Sequence, residues 1–300
     1  MATTSTSASD GRPRGRPPEL EDWLNRFIYH PLSGRVARAL VPTGISPNAV
    51  SVMGGLFIVA AAWAYTGLDW RYSALLGFAF QALWHVFDGA DGDLARMTGK
   101  ASPIGELVDG VCDYAGHAVL YVALAAFLDD GIGGVAWPLA VAAAVSHGVQ
   151  ANHSESQRRT YLWWVYGIPW LKNSGDGEKG TFERRDWFSA TFGWLARVYV
   201  RLATALNPDA EAVDAALEAA DDPVRRERLR ALVKKRSRTS LLLQKALGAN
   251  PRAPLLGISM ALGSPLYFFL VETLLLNLLL IGSVQYHKAH SRKLARELMA

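Results

Sequence analysis

Apolar residues in this chain come in long blocks: Leu56 to Tyr65, Tyr72 to Val86, Val119 to Leu128, Val135 to Val145 and Pro254 to Tyr286. With their flanks, several of these blocks reach the roughly 20 residues needed to span hydrocarbon. The pattern predicts an all-α, polytopic membrane protein. Ser46-Pro47-Asn48 supplies a cap and a first-turn proline, so a first crossing opens there and runs to about Thr66. A second runs from Tyr72 past Asp88 to about Met97, a turn covers Thr98 to Pro103, and a third runs from Pro103 to near Leu128. The fourth returns from Val135 to about Asn152. Gly263-Ser264-Pro265 breaks the last block near its middle, which predicts a fifth and a sixth crossing; a single kinked crossing would give five in all.

The flanking segments differ in character. Leu20, Trp23, Leu24, Phe27 and Ile28 recur at helical spacing among charged residues, which predicts an interfacial amphipathic helix that Pro31 should end or bend. Residues 1–19 are polar, lack the apolar core of a signal peptide and are expected to be a disordered tail. The chain therefore divides into that tail, a 20–152 body with four crossings, a 153–252 cytoplasmic or interfacial helical insertion, and a 253–300 segment with two crossings and a basic end. Within the insertion, aromatics crowd Tyr161 to Trp170, and Phe188, Phe192, Leu195, Tyr199, Leu202 and Leu206 repeat at spacings of three and four. Arg225, Arg226, Arg228, Arg230, Lys234, Lys235, Arg236 and Arg238 then follow closely, as a solvated face beside anionic headgroups or as a binding surface for an anionic substrate.

Charge adds an orientation. Half of the 300 residues are hydrophobic and the net charge is only +4, but basic residues cluster before the first block and after the last. The positive-inside bias then puts both termini in the cytoplasm, which requires an even number of crossings. A multi-pass cell (inner) membrane protein is expected, with no nucleic-acid partner. Cys112 is the sole cysteine, so no intrachain disulfide can form.

The candidate chemistry lies between Asp88 and Asp113. Asp88, Asp91 and Ala95 share one helix face, and Gly105, Asp109 and Asp113 share a face of the next helix. The short turn makes the two helices antiparallel neighbours, so four carboxylates can converge as hard oxygen ligands suited to Mg²⁺ or Mn²⁺. Gly92, Ala95 and Gly105 leave room for a ligand to approach, and the planar fork of Arg96 can face a phosphate. A carboxylate left over from ligation can accept a hydroxyl proton. Asp93 lies off the shared face and is expected to be exposed; the remaining ligands of a calcium loop are missing.

At this point the chain closely resembles the CDP-alcohol phosphotransferase family. The family signature Asp-x-x-Asp-Gly-x-x-Ala-Arg, spacer, Gly-x-x-x-Asp-x-x-x-Asp is matched at every fixed position from Asp88 to Asp113. The resemblance extends to the N-terminal helix, Pro47-Asn48, Ser102 and the six-helix body, and fades from His153 to Arg252. It implies that Asp88, Asp91 and Asp109 ligate metal, that Asp113 is a second-metal ligand or the general base, and that Gly92, Ala95, Arg96 and Gly105 line a CDP site with Arg96 near the diphosphate. It also implies a homodimer with membrane lipids around it. The implied reaction is attack by an alcohol hydroxyl on the donor's phosphorus with release of CMP, the donor usually being CDP-diacylglycerol.

The resemblance leaves the acceptor open. Arg158 and Arg159 could hold inositol phosphate or glycerol phosphate, while Gln150, Asn152, His153 and Glu155 could suit inositol or another neutral polyol. The large insertion also leaves room for a less usual substrate, including the reverse arrangement in which CDP carries the headgroup and the acceptor is a lipid. Two rivals make different demands. A membrane prenyltransferase would need acidic repeats on two separated helix pairs, and a cation-coupled transporter would place its acids at the membrane midplane rather than at one end of the crossings.

Overall fold

The computed structural model describes residues 17–168, 198, 201–207, 209–220 and 222–299. The tail up to residue 16, Trp170, and the periodic positions Phe188, Phe192, Leu195 and Tyr199 lie outside the described residues. Among the described residues there are helices and turns but no strands. Two compact units emerge: Glu21–Ser154 with Lys245–Gly282, and Glu155–Gln244 with Ser283–Ala300 and the described end of Met1–Leu20.

The first unit begins with a π turn, Asn25–Tyr29, that runs directly into helix α1, His30–Leu40. The helix does not end at Pro31. Proline removes one helical donor, and the wider turn before it closes instead through a bond from the His30 N–H to the Asn25 carbonyl. Helix α2, Pro47–Gly67, starts as its residues dictate, with Ser46 accepting from the Ala49 N–H at 3.2 Å and Pro47 in the first turn.

Helix α3 spans Trp70–Thr98. At 1.5 Å per residue it is about 43 Å long, more than a hydrocarbon core needs, and Asp88 falls about 27 Å from its start. Gly99, at φ 66°, closes the helix in a Schellman motif, its N–H bonding to the Arg96 carbonyl while the Lys100 N–H bonds to that of Ala95. Three residues later Ser102 caps α4, Pro103–Ile132, by accepting from the Gly105 N–H at 3.1 Å. This tight connection fixes the relative register of Asp88, Asp91, Asp109 and Asp113.

Helix α2 packs against both α3 and α4, while α1 packs on α3. Glycine makes the α2–α4 approach possible: a Cβ on Gly55 would meet the Cys112 carbonyl oxygen at 3.2 Å, and one on Gly116 would meet Ile58 at 3.1 Å. Ile58, Tyr65, Leu120, Leu124, Leu256 and Phe269 form the core around this trio. Gly133, at φ 67°, ends α4. Helix α5, Ala136–Tyr166, doubles back along it, so that the Tyr121 hydroxyl meets Nδ1 of His147 at 2.9 Å. Helix α5 continues past Asn152 to Tyr166 without a break.

The helices of the second unit include α6 (Ala210–Glu218), α7 (Pro223–Arg236) and α8 (Arg238–Ala246). With the end of α5 and residues Leu294, Ala295 and Leu298 they enclose a separate core built on Tyr161, Trp164, Val213, Val233 and Leu241.

The last apolar block breaks where expected. Helix α9, Arg252–Ala261, stops before Gly263 at φ 89°, and Pro265 precedes the short α10, Leu266–Leu270. A π turn, Val271–Leu275, leads into α11, Leu276–Met299. Among the described residues three stretches are long and apolar enough to cross a membrane: Pro47–Gly67, Val108–Tyr166, which contains the reversal at Gly133, and Leu266–Met299. Helix α9, at 10 residues, covers about 15 Å.

Candidate active site

Asp88 leaves the C-terminal part of α3, and Asp109 and Asp113 the first turns of α4. Each contributes an oxygen to a group whose atoms all lie within 4.8 Å of one another. Neutral donors hold Asp113 and Asp91. The Trp84 indole N–H donates to Oδ1 of Asp113 at 2.7 Å, from one turn before Asp88 on the same face of α3. Asp91 is buried, accepts from the Ser51 hydroxyl at 2.5 Å and from the Gly92 N–H, and comes within hydrogen-bonding reach of Asp109. Carboxylates gathered this closely, with neutral donors behind two of them, could hold a hard divalent cation. The group fits the residues present.

Beside the carboxylates lies an open cleft of about 130 Å³. Its walls bring together Asp91, Gly92, Ala95, Arg96, Gly105 and Asp109, all six of which the sequence singled out. Asp109 belongs to both the carboxylate group and the cleft. Asp88 and Asp113 sit on the carboxylate side and do not line the cleft. Glycine at 105 keeps the floor open, since a Cβ there would stand 3.3 Å from Ser102 Oγ and 3.5 Å from Asn48 Oδ1.

Several participants were not singled out from sequence. Ser51 and Lys100 line the cleft, and Trp84 holds Asp113. The signals for them were faint: Ser51 is one turn past Pro47, Trp84 is one turn before Asp88, and Lys100 sits in the turn. Asp93 departs from its expected exposure. It is half-buried and its Oδ1 accepts from Nη2 of the exposed Arg96 at 2.5 Å, which holds the guanidinium at the cleft's edge.

Several polar residues after the fourth helix's apolar part already have partners within the protein. Glu155 accepts from Nε and Nη2 of Arg158 at 2.6 Å each and from Nε of Arg159 at 2.7 Å. Gln150 bonds to Asn277 and to the Glu272 carbonyl, and accepts from Arg252 at 2.7 Å. Next to Trp84 a small cavity of about 20 Å³ is lined by His117, Tyr121, His147 and Arg252, room for a single water.

Residues 44–159, which carry both helices of the site, match the family model described as CDP-alcohol phosphatidyltransferase. This segment is a CDP-alcohol phosphatidyltransferase domain. It is 33% identical over 108 residues to choline/ethanolaminephosphotransferase 2 of Arabidopsis thaliana, covering 32% of this chain and 26% of that protein. Archaetidylinositol phosphate synthase of Pyrococcus horikoshii is 29% identical over 98 residues, 33% of this chain and 50% of its own length. Phosphatidylinositol phosphate synthase of Mycobacteroides abscessus is 30% identical over 104 residues, 34% of this chain and 44% of its own length. The chain thus spans half or less of the curated relatives it matches. CDP-alcohol phosphotransferases are in general dependent on divalent metals, in keeping with the carboxylate group.

Proposed function

We propose that the protein is an integral-membrane CDP-alcohol phosphotransferase that moves a phosphatidyl group from CDP-diacylglycerol to a polar alcohol of the inositol, inositol phosphate or glycerol phosphate class, releasing CMP. The observation that carries this reading is the cleft in which Arg96, Lys100, Gly92 and Gly105 stand beside Asp91 and Asp109. Cations for a diphosphate, backbone open to close approach and an adjoining set of carboxylates are what a cytidine diphosphate ester requires.

In this reading Asp88, Asp91, Asp109 and Asp113 hold Mg²⁺ or Mn²⁺ in a two-metal site, which when bound would neutralise charge growing on the phosphate oxygens. Gly92, Ala95 and Gly105 admit the CDP moiety, and Arg96 and Lys100 face its diphosphate. The acceptor oxygen bonds to the phosphorus bearing the diacylglycerol group as the bond from that phosphorus to the CMP oxygen breaks. Asp113, held by the Trp84 indole, takes the acceptor's proton. The body would cross the membrane six times, through α2, α3, α4, α5, α9 and the α10–α11 segment, with the N-terminal π turn and α1 at the interface and the site on the cytoplasmic side of the inner membrane.

One observation favours a second reading. The relative at 33% identity is named a choline/ethanolaminephosphotransferase, so transfer of a phosphobase from CDP-choline or CDP-ethanolamine to diacylglycerol is the alternative. Both are tested by CMP release from purified protein with Mg²⁺ or Mn²⁺. CDP-diacylglycerol paired with inositol, inositol phosphate or glycerol phosphate supports the first reading, and CDP-choline paired with diacylglycerol supports the second. Asp109→Asn is expected to abolish release in either case, and undiminished turnover by that variant would remove the proposed metal role.

A further inference from the structure

The second unit contains an open pocket of about 470 Å³ between the end of α5 and one face of α7. Helix α7 presents Arg226, Arg230 and Lys234 to it at intervals of four residues, so three cations stack along one stripe. Among the described lining residues Glu227 is the single carboxylate. Like charges at this spacing weaken a helix, and an anion in the pocket would reverse that effect.

The partners these cations have in the protein leave much of their capacity unused. Arg226 gives one bond, from Nη2 to the Ala220 carbonyl at 2.7 Å, out of five N–H groups. Arg230 forms no ion pair among the described residues, and its Nε is buried without a hydrogen-bond partner. Its guanidinium lies against Gly167, where a Cβ would come within 2.6 Å of a terminal nitrogen. Arg230 is not needed to cap α5, because the Gly167 and Ile168 N–H groups already take the Trp163 and Leu162 carbonyls. Lys234 is paired, with Glu19 and with the Tyr166 hydroxyl, each at 2.9 Å.

We infer that this pocket binds a phosphate-bearing anion, with Arg226 and Arg230 taking its oxygens and Lys234 at the rim. The arginine forks match phosphate geometry, and the volume accommodates a phosphorylated headgroup or a small phosphate ester. A lipid headgroup and a water-soluble phosphate ester share this chemistry. The inference rests on α5 and α7 alone and is independent of the reaction proposed above.

The test is calorimetric titration of the full-length protein in neutral detergent at about 0.1 M salt. The probes are inorganic phosphate, dihexanoyl phosphatidylglycerol and, as a zwitterionic control, dihexanoyl phosphatidylcholine. Saturable binding of phosphate identifies a soluble source, and binding of phosphatidylglycerol without phosphate identifies a headgroup. In either case Arg226→Gln/Arg230→Gln should weaken binding at least about tenfold. Arg225→Gln/Arg228→Gln, which removes the same charge from exposed positions on α7, should leave it within about twofold. Arg230→Lys, which keeps the charge but not the fork, should fall between and covers the case in which the double variant does not fold. No saturable binding of either anion, equal loss in both double variants, or phosphatidylcholine binding as tightly as phosphatidylglycerol would overturn the assignment.

Discussion

Trp84 and Asp113 are joined across two helices by a 2.7 Å hydrogen bond from the indole N–H to Oδ1. The bond fixes one oxygen of the proposed base, whose carboxyl group also hydrogen-bonds with Asp88. A hydrogen bond to a charged group contributes about 1.5–3 kcal/mol. Trp84→Phe should therefore lower the rate of CMP release by about one to two orders of magnitude, while helical content by circular dichroism stays unchanged. A variant with unaltered turnover would show that Asp113 needs no such support.

Gly105 keeps the cleft floor open opposite Asn48 and Ser102. Gly105→Leu should fill much of the cleft and eliminate binding of CDP to the purified protein. Binding of Mn²⁺, read by its paramagnetic resonance signal, should weaken less, because Asp88 and Asp113 do not line the cleft, although Asp91 and Asp109 do. Loss of both together would mean that nucleotide and metal sites are not separable.

Arg252 and Glu272 form an ion pair at 2.9 Å with both side chains almost wholly buried, and one Glu272 oxygen, Oε2, has no hydrogen-bond partner. Removing one member strands the other, at a cost of about 3–5 kcal/mol, whereas replacing both with apolar residues is often neutral. Arg252→Met alone should lower the melting temperature sharply, and Arg252→Met/Glu272→Met should recover most of it. A double variant as unstable as the single would show that Gln150 and the Leu247 carbonyl, which also bond to Arg252, dominate instead.

Acid sensitivity of the second unit follows from Glu19. Burial pushes its pKa up, but hydrogen bonds from Tyr166 and Lys234 outweigh burial and hold it at about 2, below the ordinary 4.5. A carboxylate whose folded pKa is depressed contributes stability that is full above its unfolded value and lost as pH falls through the folded one. The contribution should therefore decline between about pH 4.5 and 2. Melting curves across that range should fall less steeply for Glu19→Gln than for the wild type; parallel slopes would remove Glu19 from the account.

The site was legible in sequence because its decisive features are local. A helix places residues three and four apart on one face, and a short turn makes successive helices neighbours, so the convergence of Asp88, Asp109 and Asp113 follows from spacing alone. The Ser46 and Ser102 caps and the break before Pro265 are equally local. Reading residues as free for substrate was less secure. Arg158 and Arg159 stand within one turn of Glu155, which takes both of them, and Asp93 holds Arg96 in the same way.

What the sequence determined by itself is thus the all-helical body and the carboxylate group with its adjoining arginine and glycines, since helical periodicity and capping act within a few residues. Tertiary structure decided which neutral donors hold those carboxylates. Ser51 reaches Asp91 from 40 positions away and Arg252 meets Gln150 from 102. Such partners depend on how closely one helix can approach another, and that distance is set by residues such as Gly55 and Gly116, whose missing side chains no periodicity reveals.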